Sequence, residues 1–406
     1  MWLRIGLFTE SFPPVIDGVS NAVLNYAGII QQNHGESIVV MPQYKGACDA
    51  YPFKVIRYDS VGLPANLSYR AGNPFDFKTV KKLRKQHFDL IHIHSPFASS
   101  ILASLLVRKR EIPIVVTYHT KFDIDFEERF DIPLFQKIAL NFVLSNIKAA
   151  DEVWAVSKGA GESLRQIGYD GEYFVMENGT DFPRGISSQE AQDALFVKRY
   201  GISRSELVFI YVGRMMWYKN IKLIIDTLML VKDRGITYKM FFVGDGLELD
   251  EIKQYVSLSG IENQVVFTGA IADREELRKY YSRADLFLFP STFDTSGIVV
   301  KEAAACDCPS LLTRGSCAAE DVEDGKNGFL AEENPESMCK RIQEAVADRE
   351  QLQKVGKAAG EQIYLSWEDA VAKAYARYEI LVSRWRAKGK KRFWNKLFSN
   401  KNKGKA

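Results

Sequence analysis

Several things are scarce in this chain of 406 residues, and each scarcity narrows its class. No apolar run approaches the roughly 18 residues that a membrane-crossing helix needs. Near the start, Arg4 and Glu10 bracket only five residues, four of them apolar or glycine, too short a stretch for a secretory signal. Cysteine is sparse. Five residues, an odd number without CxxC spacing, argue for reduced thiols in the cytosol rather than a disulfide framework. Cys306-Asp307-Cys308 has half the look of a metal site. No second Cys or His pair lies near it, so buried helix and turn cysteines are the expectation. No GxGxxG opens a helix after a strand, which removes support for a dinucleotide-dependent oxidoreductase.

Acidic residues are missing altogether from Arg384 onward, where ten Lys and Arg stand with Trp385, Phe393, Trp394, Leu397 and Phe398. The whole chain carries +3, but residues 1–383 hold 44 basic against 51 acidic groups, a net −7. A basic, aromatic, acid-free segment reads as a surface helix for anionic membrane, each cation contributing about 1 kcal/mol near such a surface. A disordered solubilising tail and a nucleic-acid contact are the other readings of that composition. A second basic cluster, Lys78, Lys81, Lys82, Arg84 and Lys85, lies on an expected helix, with Arg108-Lys109-Arg110 beyond it. Helix surfaces are often charged, so this cluster alone assigns nothing.

What is present is a regular alternation. Short Ile- and Val-rich runs at 3–9, 37–41, 53–57, 90–94, 114–118, 152–156 and 173–176 read as buried strands, with helical patterns such as 19–32, 97–110 and 134–148 between them. The pattern restarts after Pro183, with strands at 207–212, 239–243, 264–267, 286–289 and 310–312. Alternation of this kind implies right-handed crossovers and parallel sheets covered on both faces. The expectation is therefore two doubly wound domains joined near 180–187. Ligands of such sheets bind at the carboxyl ends of the strands, and two of them facing each other enclose a cleft.

The strand ends can then be read as a set. After strand 286–289 a polar turn leads through Asp294, Thr295 and Ser296 to Gly297, where a helix begins at Ile298 and carries Glu302. A helix start holds unpaired N–H groups and roughly half a positive charge, suited to a phosphate. Asp294 and Glu302, eight residues apart, could hold hydroxyls of a sugar and a ribose. After the first strand, Gly18 opens a helix behind a Pro-rich turn, which permits close approach of a phosphate to the backbone. His119 follows strand 114–118 and precedes a polar, acidic loop, Thr120 to Asp125, placing an imidazole at a strand's carboxyl end. His92 and His94 share a strand face and read as structural. Asp123-x-Asp125 reads as an ordinary acidic pair rather than a metal site. Arg214 ends strand 207–212 and Lys219 begins the next helix, a fork and a point charge suited to a pyrophosphate. Gly244-Asp245-Gly246 is a structural turn, and Thr268 lies where backbone amides could read a base edge.

Taken in order, these segments resemble the family 4 retaining glycosyltransferases of the GT-B fold, over Ile5 to about Leu381. The family pairs two Glu eight residues apart; here the first is Asp294 and the second Glu302. The resemblance implies an N-terminal acceptor-side domain over 1–183 and a nucleotide-sugar domain over 184–365. A helix over 366–385 would cross back to the first domain, with the basic aromatic tail at 386–406. It implies that Arg214 and Lys219 bind the donor pyrophosphate, helped by amides near Gly18, Gly297 and Ile298. Glu302 would hold the ribose, while Asp294 and His119 would contact the transferred sugar. It also implies that no metal is needed and that the anomeric configuration is retained. The stretch Tyr118 to Asp123 looks most like diacylglycerol glucosyltransferases. With the tail, this gives the expectation of a hexosyltransferase moving glucose from UDP-glucose to a membrane lipid. Its setting would be the inner face of the cell membrane, bound peripherally, with no nucleic-acid partner. The alternatives are a soluble or polyprenyl-linked saccharide acceptor, a nucleotide-sugar epimerase, and a non-catalytic binder.

Overall fold

The computed structural model describes the backbone of residues 1–15, 17–62, 70–107, 112–129 and 132–401, and their side chains except at 128–129 and 388–401. The chain forms two compact units, Met1–Asn178 with Trp367–Ala406, and Gly179–Ser366.

In the first unit β1 (Arg4–Phe8) is followed by α1 (Gly18–Ile29), β2 (Glu36–Pro42), β3 (Lys54–Tyr58), the short pair β4 (Ser60–Gly62) and β5 (Arg70–Gly72), and α2 (Phe77–Arg84). Then come β6 (Leu90–Ile93), α3 (Ala98–Val107), β7 (Ile114–Tyr118), α4 (Phe122–Arg129), α5 (Pro133–Lys148), β8 (Glu152–Ala155), α6 (Lys158–Gln166) and β9 (Tyr173–Val175). The seven-stranded parallel sheet runs β3-β2-β1-β6-β7-β8-β9. Its order reverses between β1 and β6. At such a switch point the loops after adjacent strands diverge to opposite faces and leave a crevice. Strand alternation sorts the side chains: Ile91, Ile93, Val116 and Val153 share one buried cluster with α2, α3, α5 and α6. The opposite face receives the long helix Trp367–Lys401. There Tyr378 stacks on Trp154 with ring centroids 5.1 Å apart, and its hydroxyl lies 2.5 Å from His92 Nδ1. Arg377 donates two bonds to Glu152, at 2.9 and 2.7 Å. His92 Nε2 also reaches Thr117 Oγ1 at 2.6 Å, so both its ring nitrogens are bonded inside the core.

The second unit carries β10 (Leu207–Val212), β11 (Tyr238–Val243), β12 (Val265–Gly269), β13 (Leu286–Phe289), β14 (Ser310–Thr313) and β15 (Phe329–Ala331) in the order β12-β11-β10-β13-β14-β15, all parallel. The runs LVFIYV and LFLF are apolar throughout because helices cover both faces of a parallel sheet. The switch point lies between β10 and β13.

Two doubly wound parallel sheets are thus present, as the alternation implies. Several details differ from the sequence reading. The expected acidic loop after His119 is helical from Phe122, because Asp123 and Asp125 fall in the first turn of α4, where negative charge favours a helix start. The helix expected over 19–32 ends at Ile29 and continues as a π turn, Ile30–His34. Residues 108–110 and the side chains of the basic tail from Lys388 onward lie outside the described residues. All five cysteines are free; Cys306, Cys308, Cys317 and Cys339 are buried and Cys48 is exposed. Among the described residues no helix is long and apolar enough to cross a membrane.

Candidate active site

The switch point of the second sheet gathers the residues that follow β10 and β13. After β10 the chain turns at Gly213 and Arg214, forms a short 3-10 turn Trp217–Lys219, and places Asn220 in the left-handed region at φ 59° before the helix Ile221–Asp233. Asn220 Nδ2 donates to Pro290 O at 3.0 Å, tying this turn to the end of β13. Lys219 is nearly buried, and its Nζ lies 2.6 and 2.7 Å from the two carboxylate oxygens of Asp294. Tyr218 and Phe293 flank it, with Nζ 5.4 and 5.0 Å from their ring centres. Arg214 stays exposed with its guanidinium 5.8 Å from the Tyr218 ring.

Electrostatics here follow from burial opposed by pairing. Burial pulls the Lys219 amine below its ordinary value, and attraction to Asp294 offsets only part of that. Burial acts to raise the Asp294 carboxyl, but Lys219, through charge and hydrogen bonds, and Arg214 outweigh it and hold the acid low.

The glycines here have one steric task. A Cβ on Gly244, at φ 145°, would stand 1.9 Å from Gly213 O, and one on Gly246 would stand 2.3 Å from Met215 O. The turns after β10 and β11 are pressed together, with Met215 N donating to Asp245 O at 3.0 Å. Gly244-Asp245-Gly246 thus buttresses the Arg214 loop.

The helix Ile298–Ala305 begins at Gly297, left-handed at φ 55°, without a side-chain cap. An added Cβ at Gly297 would lie 2.9 Å from Ala318 Cβ, so glycine is required there twice over. Ser296 leads into this turn, and Thr268 sits at the carboxyl end of β12, its Oγ1 donating to Gly269 O at 2.8 Å. Glu302, in the second turn of the helix, is buried. Its Oε1 accepts from Arg274 at 2.6 Å and its Oε2 from the Tyr281 hydroxyl at 3.2 Å. Arg274 also bonds Asp181 through its Nε at 2.9 Å. Burial raises the Glu302 carboxyl, and Arg274 opposes this incompletely.

In the first unit the switch point holds a second set. Asp17 caps α1, accepting from Ser20 N at 2.7 Å and from Ser11 Oγ at 2.6 Å. A Cβ on Gly18 would meet nothing within 4 Å, so the space before the helix start is open. His119 follows β7, and its Nε2 lies 3.0 Å from His94 Nδ1 at the end of β6. Burial lowers His119 to about 4, with nearby Asp17 acting the other way. It is a neutral imidazole at physiological pH, and its bond to His94 fixes its orientation.

The structure therefore brings Arg214, Lys219, Asp294, Ser296, Gly297, Ile298, Glu302 and Thr268 to the carboxyl edge of one sheet, and Gly18 and His119 to that of the other. Sequence reasoning missed Arg274, Tyr281 and Asp181 around Glu302, and did not foresee the bond between His94 and His119. The His94 signal was available: β6 and β7 are neighbours, and both histidines stand at their carboxyl ends.

Two Rossmann-like sheets, with cations and an uncapped helix start at a switch point, define the architecture of the GT-B glycosyltransferases. The model described as "Glycosyltransferase Family 4" matches residues 16–184, and that described as "Glycosyl transferases group 1" matches 193–362. The chain belongs to glycosyltransferase family 4, whose members are retaining, nucleotide-sugar-dependent enzymes. It is 27% identical to an alpha-monoglucosyldiacylglycerol synthase of Acholeplasma laidlawii, over 82% of this chain and 86% of that protein. It is 25% identical to a GDP-mannose-dependent alpha-mannosyltransferase of Corynebacterium glutamicum, over 81% of this chain and 76% of that one. Among solved structures, Anabaena HepE in complex with UDP aligns with a TM-score of 0.76 at 20% identity, covering 94% of this chain and all of that one.

Proposed function

We propose that this enzyme transfers a hexose, glucose from UDP-glucose, to a membrane lipid such as diacylglycerol, with retention and without a metal ion. The observation that carries the donor half is the pairing of the buried Lys219 with the half-buried Asp294, beside Arg214 at the switch point. Breaking the sugar–phosphate bond builds negative charge on the leaving phosphate. In this reading Arg214, Lys219 and the N–H groups at Gly297 and Ile298 face that charge in a preorganised site, and such groups contribute about 3–4 kcal/mol each. Lys219 is held in place before the donor arrives because Asp294 already fixes its amine. Glu302 takes the ribose hydroxyls, with Arg274 orienting its carboxylate. Thr268 lies on the base side.

The lipid half is supported by the similarity to an alpha-monoglucosyldiacylglycerol synthase and by the acid-free aromatic tail. Incubation with a panel of radiolabelled nucleotide sugars, lipid extract and a chelator should yield an organic-phase product from UDP-glucose. Label confined to water-soluble or polyprenyl-linked saccharides would sink the lipid acceptor. Product made only from GDP-mannose would sink the donor assignment. A requirement for added divalent metal would overturn the metal-free step.

A further inference from the structure

Arg274 is placed against a local preference. It is the first residue of the helix Arg274–Arg283, directly after the cap Asp273. A cation in a first turn opposes the helix dipole. The compensation comes from two acids far apart in the chain. Arg274 Nη2 bridges them, donating to Glu302 Oε1 at 2.6 Å and to one oxygen of Asp181, while Nε takes the other Asp181 oxygen at 2.9 Å.

Glu302 is thereby held at both oxygens, since the Tyr281 hydroxyl donates to Oε2 at 3.2 Å. A carboxylate accepts about four hydrogen bonds, which leaves room for two more donors, the number a ribose diol supplies. Asp181 and Phe182, adjacent in the chain, hold the two groups that hold Glu302. Asp181 grips Arg274. The buried Phe182 ring lies 4.2 Å from the Arg274 guanidinium carbon and edge-on to Tyr281, with centroids 5.9 Å apart. The contacts thus close into a ring: Glu302, Arg274, the Asp181–Phe182 pair, Tyr281, and back to Glu302.

Asp181 and Phe182 stand where the chain enters the second unit, which runs from Gly179 to Ser366. The exit is fastened to this entry. Thr180 N donates to Leu365 O at 2.9 Å, Thr180 bridges Ser366, and the Tyr364 hydroxyl donates to Phe182 O at 3.2 Å. A half-exposed ion pair such as Asp181–Arg274 contributes little stability by itself. What it supplies is a rigid link from a buried acid to the crossing segments.

We propose that Arg274 is a positioning residue that couples ribose recognition by Glu302 to the paired segments on which the chain enters and leaves the second unit. The inference rests on the reading of Glu302 as the ribose acid. Ribose hydroxyls that donate to Glu302 favour its ionised, aimed form, and with it the Arg274 geometry that Asp181 shares. Such coupling is reciprocal: if a nucleotide orders the crossing segments, loosening them weakens the nucleotide by the same factor.

The test titrates the full chain with UDP and GDP and follows the tighter one beside its 2′,3′-dideoxy form. The parent should bind the dideoxy nucleotide at least about tenfold more weakly. Asp181→Asn keeps the side chain's shape and removes its charge. It should weaken the ribonucleotide about fivefold or more and leave the dideoxy form unchanged, a pattern that lost packing does not produce. Arg274→Met strips Glu302 of its counter-charge, and burial already raises that acid. Its ribonucleotide affinity should therefore recover as pH rises from about 6 to 8, at a midpoint above the parent's, and Arg274→Lys should restore part of the parent's profile. Ribonucleotide should slow amide exchange at Thr180 and Phe182 in the parent and not in Asp181→Asn. Equal weakening of both nucleotides by Asp181→Asn, or of neither, overturns the coupling and leaves the ribose reading intact. A parent that binds the ribo and dideoxy forms alike, or binds neither UDP nor GDP, rejects the ribose reading and the coupling with it.

Discussion

Lys219 shows how much one side chain can be asked to do. Its amine is buried, bonded to both oxygens of Asp294 and flanked by two rings, so its position is set by three neighbours rather than by solvent. Lys219→Ala should lower kcat by about 10²–10³-fold, read in single-turnover assays. Asp294→Glu lengthens the acid by one methylene at a pair already at 2.6 and 2.7 Å. The longer side chain must push Lys219 aside, and turnover should fall by roughly tenfold or more. A rise in turnover would show that the shorter acid is the defect. The first unit titrates in two senses. His92, His94 and His119 are all lowered by burial, His119 to about 4, so the unfolded chain binds more protons than the folded one as pH falls below the ordinary histidine value. Their stabilising contribution is present near neutrality and is lost towards acid. Glu10, raised by burial to about 7 and bonded to Ser99, acts oppositely: its contribution is present at low pH and lost as pH rises to 7. Stability should therefore climb with pH between about 5 and 6.5, and Glu10→Gln should steepen the climb by up to about 1.4 kcal/mol per pH unit. Urea midpoints across that window check the sign. His119, Lys219 and Asp294 were legible from their places at strand ends. Arg274 was not, because its meaning comes from a helix that folding brings against Glu302, 28 positions along the chain.

At the scale of elements, the strands were the clearest part of the sequence. Parallel strands buried on both faces are continuous apolar runs, and continuity survives errors of a residue or two at their ends. The pair β4–β5 and the edge strand β15 are three residues each, too short for any periodicity. The α4 helix was hidden by its own charges, which look like loop polarity until they fall in a first turn. The turns of the second unit were legible as flexible glycines but not as a contact between turns. That contact is testable. Gly244→Ala forces its methyl into Gly213 O and moves the Arg214 loop. The donor KM should rise by at least about tenfold while the second unit keeps its fold, a split that a circular dichroism melt and donor kinetics resolve. Unaltered KM would show that the loop yields elsewhere.

For the molecule as a whole, the tail is the membrane contact at issue, and one peripheral signal is seldom enough for stable anchoring. Removing residues 388–406 takes away eight of the ten tail cations while keeping Arg386, which pairs with Asp89 at 2.6 Å. Co-sedimentation with anionic vesicles should fall and lose most of its salt sensitivity, with donor binding unchanged. The division into two sheets was readable because the strand pattern restarts after Pro183, whereas the unit boundary falls earlier, at Asn178 and Gly179. The return of the C-terminal helix to the first unit also settles a matter of timing. A chain made from its amino end, at about 5–20 residues per second, ordinarily completes its domains in order. Here Tyr26, His92, Glu152 and Trp154 wait for Trp367, Arg377 and Tyr378, which are translated after the whole second unit. The second unit is complete first, and the first unit spends the synthesis of nearly 190 residues with a core face uncovered, the interval in which a chaperone would find its substrate.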